Sequence, residues 1–154
     1  MASSSGKLEV DVEVKSPPEK FWEAFKDSVT LFPKLLSDEY KSIEVVEGDG
    51  KSVGTVKLIK YVEGLSFITF SKEKVVEFDE EKKVIAYEVI DGELLKYYKN
   101  FKATAKVSPK ADGGSLVTWT CEFEKTADEV PDPTVLHDFS IKTFKELDAY
   151  LLKE

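Results

Sequence analysis

The sequence predicts an α+β fold in which helices pack on one side of an antiparallel sheet. Three observations predict it. The chain starts with strict apolar–polar alternation, continues as strand-like runs separated by turns, and ends in an amphipathic segment of about 20 residues. The predicted order is one strand, two short helices, six strands and a long helix. A chain of 154 residues suits one compact unit, so we expect a single domain over residues 1–154.

Residues 8–14 alternate between apolar and charged types, which is typical of a strand with one buried and one solvated face. Ser16 and Glu19 are spaced as a capping box, with Ser16 at the N-cap, Glu19 at N3 and proline at N1. We therefore expect a helix that turns its aromatic residues inward, followed by a second short helix around 29–36 that Pro33 interrupts. The inward aromatic residues are Phe21, Trp22 and Phe25.

The middle of the chain contains six strand-like runs, at 42–47, 55–61, 65–78, 84–90, 95–107 and 115–125. Glycine-containing turns separate most of them, and Asp112-Gly113-Gly114 is a strong hairpin signal. Successive strands joined by tight turns pair in antiparallel fashion. The glycines Gly48, Gly50 and Gly54 are expected to give their loop backbone angles with positive φ.

The last segment predicts a helix with Asp132 at the N-cap and Pro133 at N1. A helix of this length is roughly 30 Å long, enough to cross a whole sheet. One face of it is lined, at i, i+3 and i+4 spacing, by Leu136, Phe139, Ser140, Thr143, Leu147 and Tyr150.

Composition excludes several classes of function. The net charge of −8 disfavours nucleic-acid binding, since an acidic surface repels phosphates. No apolar run approaches the length of a membrane span, and the first residues lack the apolar stretch of a secretory signal. A single cysteine cannot form an internal disulfide, so we expect a cytoplasmic protein. Nothing in the sequence demands more than a monomer.

Strand alternation predicts which side chains face inward. In the last strand Glu122 and Glu124 share a parity that would be costly to bury, so the opposite parity must face the core. The fifth strand leaves Ala86 and Ile90 ambiguous. The inward sets are Val117, Trp119, Cys121 and Phe123 in the last strand, Phe101, Ala103, Ala105 and Val107 in the sixth, and Ile85, Tyr87 and Val89 in the fifth.

No catalytic or metal site is predicted. A phosphate-binding loop around Lys51 and Ser52 would need glycine where Val45 stands. His137 and its neighbour Asp138 point in different directions on a helix, so they do not make a catalytic pair. One histidine and one cysteine provide no metal-ligand spacing, and no cofactor is expected.

Three stretches resemble the birch-pollen-allergen superfamily, Bet v 1 or pathogenesis-related class 10: residues 47–55, 112–115 and 150–152. Residues 13–17, 94–101 and 123–126 are more similar to its major-latex-protein branch. The resemblance covers nearly the whole chain. It implies a seven-stranded curved sheet wrapped around a long C-terminal helix (the helix-grip fold). It also implies an internal cavity for a small hydrophobic ligand such as a plant hormone, steroid, flavonoid or fatty acid, in plant defence or stress.

The resemblance favours Ile59 and Tyr61 as inward residues of the third strand, where parity alone leaves Val56 and Leu58 open. In the fourth strand it favours Phe67 and Thr69 over the opposite parity. The full set expected to contact the ligand is Phe25, Ile59, Tyr61, Phe67, Thr69, Ile85, Tyr87, Phe101, Val117, Trp119, Cys121, Phe123, Leu136, Phe139, Ser140 and Thr143.

Two alternatives stay open: a filled core with a role in protein interaction, or an enzyme. The resemblance includes relatives described as ribonucleases, whose helical acid and tyrosine match Asp148 and Tyr150 here, but residues 94–107 lack the acid of the strand. Other relatives act on alkaloids with a lysine and carboxylates in the cavity. The sequence identifies no such inward lysine.

Overall fold

The computed structural model describes residues 5–63 and 68–153. Its elements follow the predicted order, with one short 3-10 helix (η1) added before the sixth strand. The elements are β1 (Ser5–Val14), α1 (Pro18–Lys26), α2 (Ser28–Leu35), β2 (Tyr40–Glu47), β3 (Val56–Tyr61), β4 (Phe70–Asp79), β5 (Val84–Gly92), η1 (Glu93–Lys96), β6 (Tyr98–Pro109), β7 (Ser115–Lys125) and α3 (Thr134–Leu151).

The seven strands form one antiparallel sheet in the order β1-β7-β6-β5-β4-β3-β2. Sequence neighbours pair from β2 to β7, and α1 and α2 carry the chain from the β1 edge to the β2 edge. The sheet curves around α3, which confirms the predicted fold class. No helix in the described part of the chain is long and apolar enough to span a membrane.

The inner face of β6 and β7 follows the predicted alternation. The side chains that this pattern turns inward are at most 5% exposed: Phe101, Ala103, Ala105, Val107, Val117, Trp119, Cys121 and Phe123. The registers Ala103↔Cys121 and Ala105↔Trp119 place small residues opposite larger ones, which lets neighbouring side chains of the two strands pack closely. Phe21 and Trp22 of α1 are fully buried against this core.

The predicted capping box is wrong. Helix α1 begins at Pro18, and no side chain caps it. Ser16 is fully buried, and its hydroxyl donates instead to Asp148 Oδ1 at 2.6 Å. Glu19 pairs with Lys83 of the β4–β5 turn at 2.8 Å.

Other boundaries also differ from the prediction. Helix α3 begins at Thr134, so Pro133, not Asp132, holds the N-cap position. Helix α2 continues through Pro33, which does not interrupt it as predicted. Proline has no backbone N–H, so the helix lacks one internal hydrogen bond at this position. Strand β4 begins at Phe70, and the earlier part of the predicted run, through residue 67, lies outside the described residues.

The loop between β2 and β3 has the geometry that its glycines predicted. Gly48, Gly50 and Gly54 have φ of 87°, 92° and 96°. A Cβ at Gly48 would lie 2.8 Å from the Cα of Thr55, so only glycine fits there. Asp49 closes the loop on itself by accepting the backbone N–H groups of Lys51 and Ser52.

Candidate functional site: an internal cavity between sheet and helices

A cavity of about 130 Å³ lies between the inner face of the sheet and the helices. Strands β2 to β7, η1 and all three α-helices contribute to its wall. The lining residues are Phe25, Ser28, Phe32, Tyr40, Ile43, Lys57, Ile59, Tyr61, Ile68, Ser71, Glu73, Val75, Ile85, Tyr87, Val89, Leu94, Phe101, Trp119, Leu136, Phe139, Ser140, Thr143 and Phe144.

Aromatic rings from both the sheet and the helices form much of the cavity wall. Tyr40 is the centre of this group: its ring centroid lies 5.3 Å from that of Phe32, 5.7 Å from that of Tyr61 and 5.5 Å from that of Phe139. Such offset and edge contacts stabilise aromatic pairs beyond their burial. The cluster therefore holds a rigid apolar wall on one side of the cavity.

A second depression of about 190 Å³ adjoins the cavity beside the first turns of α3. The two share Tyr61, Ile68, Leu136 and Phe139. The rings of Tyr61 and Phe139 meet edge to face at 5.9 Å. These two rings therefore lie at the boundary between the cavity and the depression.

Two charged side chains also line the cavity. Lys57 of β3 and Glu73 of β4 are direct cross-strand partners. Lys57 is only 8% exposed, and its ammonium group lies 3.4 Å from the hydroxyl of Ser28. Glu73 keeps some accessible surface because it faces the cavity. The apolar cavity therefore has one polar end.

Burial dominates the ionisation of this pair. It raises the pKa of Glu73 to about 7, although the charge of Lys57 and a hydrogen bond with Ser71 act in the opposite direction. Burial likewise lowers the pKa of Lys57, against the attraction of Glu73. Near neutral pH Glu73 is therefore divided between its neutral and ionised forms.

Tyrosine hydroxyl groups provide neutral hydrogen-bonding positions on the cavity wall. The Tyr61 hydroxyl lies 3.1 Å from Ser71 Oγ, and the Tyr40 hydroxyl 3.5 Å from Thr143 Oγ1. Burial raises the pKa of Tyr40, Tyr61 and Tyr87 above the usual tyrosine value. These hydroxyl groups therefore stay neutral and can donate or accept a hydrogen bond.

The structure brings eleven of the predicted ligand-contacting residues together around the cavity. They come from α1, four strands and α3; alternation and helical spacing indicated most of them, and the family resemblance indicated Ile59 and Tyr61 of β3. These residues are Phe25, Ile59, Tyr61, Ile85, Tyr87, Phe101, Trp119, Leu136, Phe139, Ser140 and Thr143.

Three predicted residues of β7 face inward but do not line the cavity, so their assignment to the site is corrected. Val117 is in register with Val12 and Val107, whose side chains fill the space beside it. Cys121 is fully buried, and the ring of Phe123 packs at 5.4 Å on Tyr98. Burial raises the pKa of the Cys121 thiol to about 11, which keeps it protonated and unreactive.

The prediction for the fourth strand is wrong at Thr69. Thr69 is exposed, and its backbone N–H and hydroxyl both donate to the Glu93 carboxylate. Ile68, of the opposite parity, is 4% exposed and lines the cavity. The other residue predicted there, Phe67, lies outside the described residues.

Sequence reasoning missed the polar end of the site: Ser28, Lys57, Ser71 and Glu73. The lysine that could not be identified from the sequence is Lys57. It shares the parity of Ile59 and Tyr61, which was the available signal. The apolar lining residues that were missed as site residues are Phe32, Tyr40, Ile43, Ile68, Val75, Val89, Leu94 and Phe144.

Asp148 does not face the cavity. Its carboxylate accepts the backbone N–H groups of Lys15 and Ser16 at 3.0 and 2.9 Å, and the Ser16 hydroxyl. These bonds join α3 to the β1–α1 connection. The acid that matches the ribonuclease pattern is thus occupied in holding the fold together.

A group of three acids in the described chain, Asp38, Glu39 and Glu146, has metal-ligand spacing. The Lys142 ammonium group already lies among them, at 3.9, 3.4 and 3.8 Å from their oxygen atoms. A cation at this place would have to displace Lys142. In the glycine loop the backbone N–H groups of Lys51 and Ser52 are likewise occupied, because they donate to Asp49.

A model of the pathogenesis-related protein Bet v 1 family matches residues 3–154. The chain belongs to this family. It is 53% identical over 150 residues to MLP-like protein 423 of Arabidopsis thaliana, covering 97% of this chain and 96% of that protein. That similarity places it in the major-latex-protein branch.

Solved structures agree with this assignment of the fold. Ginseng major latex-like protein 151 from Panax ginseng superposes with a TM-score of 0.89 at 28% identity, covering 97% of this chain and 99% of that chain. Norcoclaurine synthase from Thalictrum flavum, in complex with dopamine and hydroxybenzaldehyde, gives a TM-score of 0.82 at 19% identity, covering 99% and 89%. The second similarity is one of fold.

Proposed function

We propose that this major-latex-protein relative binds and carries a small amphipathic molecule in the internal cavity, in the cytoplasm and in connection with plant defence or stress. The observation that supports the proposal is the cavity itself, whose wall is largely apolar and aromatic and includes a few polar groups. Binding pockets for small molecules have this composition, in which apolar walls provide affinity and a few polar groups orient the ligand.

The volume of the cavity limits the size of a ligand that can bind without displacing protein side chains. An apolar cavity of roughly 150 Å³ holds a benzene-sized molecule, so the 130 Å³ observed here suits one ring. A steroid or flavonoid needs the adjoining depression as well, and therefore a displacement of the Phe139 ring. Phe139 is thus the residue at which a larger ligand would open the site.

The first prediction concerns a charge placed at this position. Phe139→Asp is expected to weaken binding of an environment-sensitive apolar dye by at least about tenfold, because an unpaired carboxylate is costly in an apolar site. Ala149→Asp is the matched control, since it adds the same charge to an exposed position of the same helix. Dye fluorescence measures binding, and circular dichroism verifies that both variants fold.

The native protein should give saturable dye binding, and displacement by steroids, flavonoids, fatty acids and cytokinins then ranks ligand classes. Equal binding by the native protein and Phe139→Asp would locate the dye outside the cavity. Absence of dye binding to the native protein would end the carrier proposal and favour a filled core with an interaction role.

An enzyme is the second candidate, and the Lys57–Glu73 pair is the observation that favours it. An ammonium group and a carboxyl group of raised pKa in one apolar cavity can provide acid–base catalysis near neutral pH. Incubation with dopamine and hydroxybenzaldehyde tests this candidate directly. Product formation that Glu73→Gln abolishes would replace the carrier proposal with an enzymatic one.

A further inference from the structure

The polar end of the cavity has an unusual feature. Lys57 is a buried cation, yet it makes no ion pair with a carboxylate within the described residues. Among residues 5–63 and 68–153 its one hydrogen bond, to Ser28, is long at 3.4 Å. An ammonium group has three donors, and buried donors without acceptors are costly. Lys57 also lines a cavity whose wall is otherwise largely apolar.

Glu73 does not compensate this charge fully. It is the cross-strand neighbour of Lys57, but its pKa of about 7 leaves much of it neutral at physiological pH. The other titratable groups lining the cavity are Tyr61 on β3, Tyr87 on β5 and Tyr40 on β2, all held neutral by burial. Among the described lining residues, the helices α1, α2 and α3 contribute no charged group.

A ligand can correct this imbalance. An anionic group beside Lys57 would accept the unused N–H donors, and such charge-assisted hydrogen bonds are about twice as strong as neutral ones. The same anion would favour the neutral form of Glu73, whose carboxyl proton can then be donated to the ligand. The remaining space, about the size of one ring, faces aromatic side chains.

We propose that the ligand is a small aryl carboxylic acid, bound as its anion to Lys57 and accepting a hydrogen bond from protonated Glu73. This inference rests on the proposed ligand-binding function and gives it a chemical class. Binding takes up a proton whenever Glu73 is ionised in the free protein. The affinity of such an acid therefore falls as the pH rises through the pKa of Glu73.

Three probes of one shape test the charge. Phenylacetate, phenylacetamide and 2-phenylethylamine carry a negative, a neutral and a positive group on the same ring and are titrated by calorimetry. At about pH 6 phenylacetate is expected to bind at least about tenfold more tightly than phenylacetamide, and the amine most weakly. Lys57→Met, which keeps the length of the side chain without its charge, should abolish the preference for the acid.

The pH dependence tests the role of Glu73. Between about pH 6 and pH 8 the dissociation constant of phenylacetate should rise about tenfold in the native protein, as ionised Glu73 comes to oppose the ligand. Glu73→Gln keeps a hydrogen-bond donor and has no charge. It should remove this pH dependence and bind phenylacetate about tenfold more tightly than the native protein at about pH 8.

The outcomes separate the two proposals. Binding of the dye and phenylacetamide without a preference for phenylacetate would overturn the inference and leave the carrier function standing. A preference for 2-phenylethylamine that Glu73→Gln removes would also overturn it, in favour of a cationic ligand. If neither the dye nor any of the three probes binds, the carrier function fails and the inference fails with it.

Discussion

Asp148→Ala is expected to lower the free energy of unfolding by about 4 kcal/mol, the largest effect we predict for a single polar side chain. The carboxylate accepts three hydrogen bonds from Lys15 and Ser16, and Ser16 is fully buried. Removing the acceptor leaves the two buried donors of Ser16 unpaired, each costing about 1–3 kcal/mol, and also removes the part-buried bond of Lys15. Urea denaturation followed by tryptophan fluorescence measures the change.

Asp138→Ala is the matched control for this prediction. Asp138 lies on the same helix, and its side chain is 79% exposed. Its carboxylate lies 3.1 Å from Nδ1 of the adjacent His137, although helical spacing predicted that the two side chains point apart. Its replacement should change stability by less than about 0.5 kcal/mol. A loss of under about 1 kcal/mol for Asp148→Ala would show that the three bonds do not tie α3 to the β1–α1 connection.

This prediction also bears on the ribonuclease alternative. Because Asp148 supports the fold, loss of an activity in an Asp148 variant would report unfolding as readily as chemistry. Tyr150 is half-buried and lies two residues further along α3, so Tyr150→Phe is the cleaner test. Ribonuclease activity that is present in the native protein and absent from a folded Tyr150→Phe variant would support that alternative.

The predictable parts of the fold are those where the pattern is local. In β7 every second residue is apolar and buried while Glu122 faces solvent, so alternation alone identifies the inner face. The polar end of the cavity was harder because β3 carries lysines of both parities, Lys57 and Lys60. Lys57 lines the cavity together with Ile59 and Tyr61, which share its parity, whereas Lys60 is exposed.

Two of the errors have the same cause, which is a hydrogen bond to a residue distant in sequence. Ser16 has the sequence context of a helix cap, but its hydroxyl and its N–H donate to Asp148, 132 residues away. The family resemblance favoured Thr69 as an inward residue, but its backbone N–H and hydroxyl donate to Glu93 of η1 at the surface. The volume of the cavity is likewise non-local, since it depends on how ten elements pack.

Glu39 provides the second large prediction, a dependence of stability on pH. Its side chain is fully buried at the start of β2, where Oε2 accepts the Thr143 hydroxyl at 3.1 Å and Oε1 faces Lys142 at 3.4 Å. Burial, and then the neighbouring Glu146, raise the pKa of Glu39 to about 7. The folded protein therefore binds the Glu39 proton more tightly than the unfolded chain does.

The direction in which stability changes with pH follows from this difference in proton affinity. Between a pKa of 4.5 in the unfolded chain and about 7 in the folded protein, the free energy of unfolding must decrease as the pH rises. The decrease attributable to Glu39 is up to about 3 kcal/mol. Glu73, with its pKa also raised to about 7 by burial, contributes a second decrease of the same sign over the same range.

Glu39→Gln is accordingly expected to be more stable than the native protein at about pH 8, by up to about 3 kcal/mol, and about equally stable near pH 4.5. The amide keeps an acceptor for Thr143 and has no charge to desolvate, while the lost attraction to half-exposed Lys142 is worth little. Urea unfolding of both proteins from about pH 5 to pH 8 measures the difference.

Asp38→Asn, a change at the exposed neighbour, is the control and should leave the pH dependence of stability as it is in the native protein. If Glu39→Gln reproduces the native profile, the Glu39 proton does not govern stability, and the Lys142 ammonium group must keep the buried carboxylate ionised in the folded state.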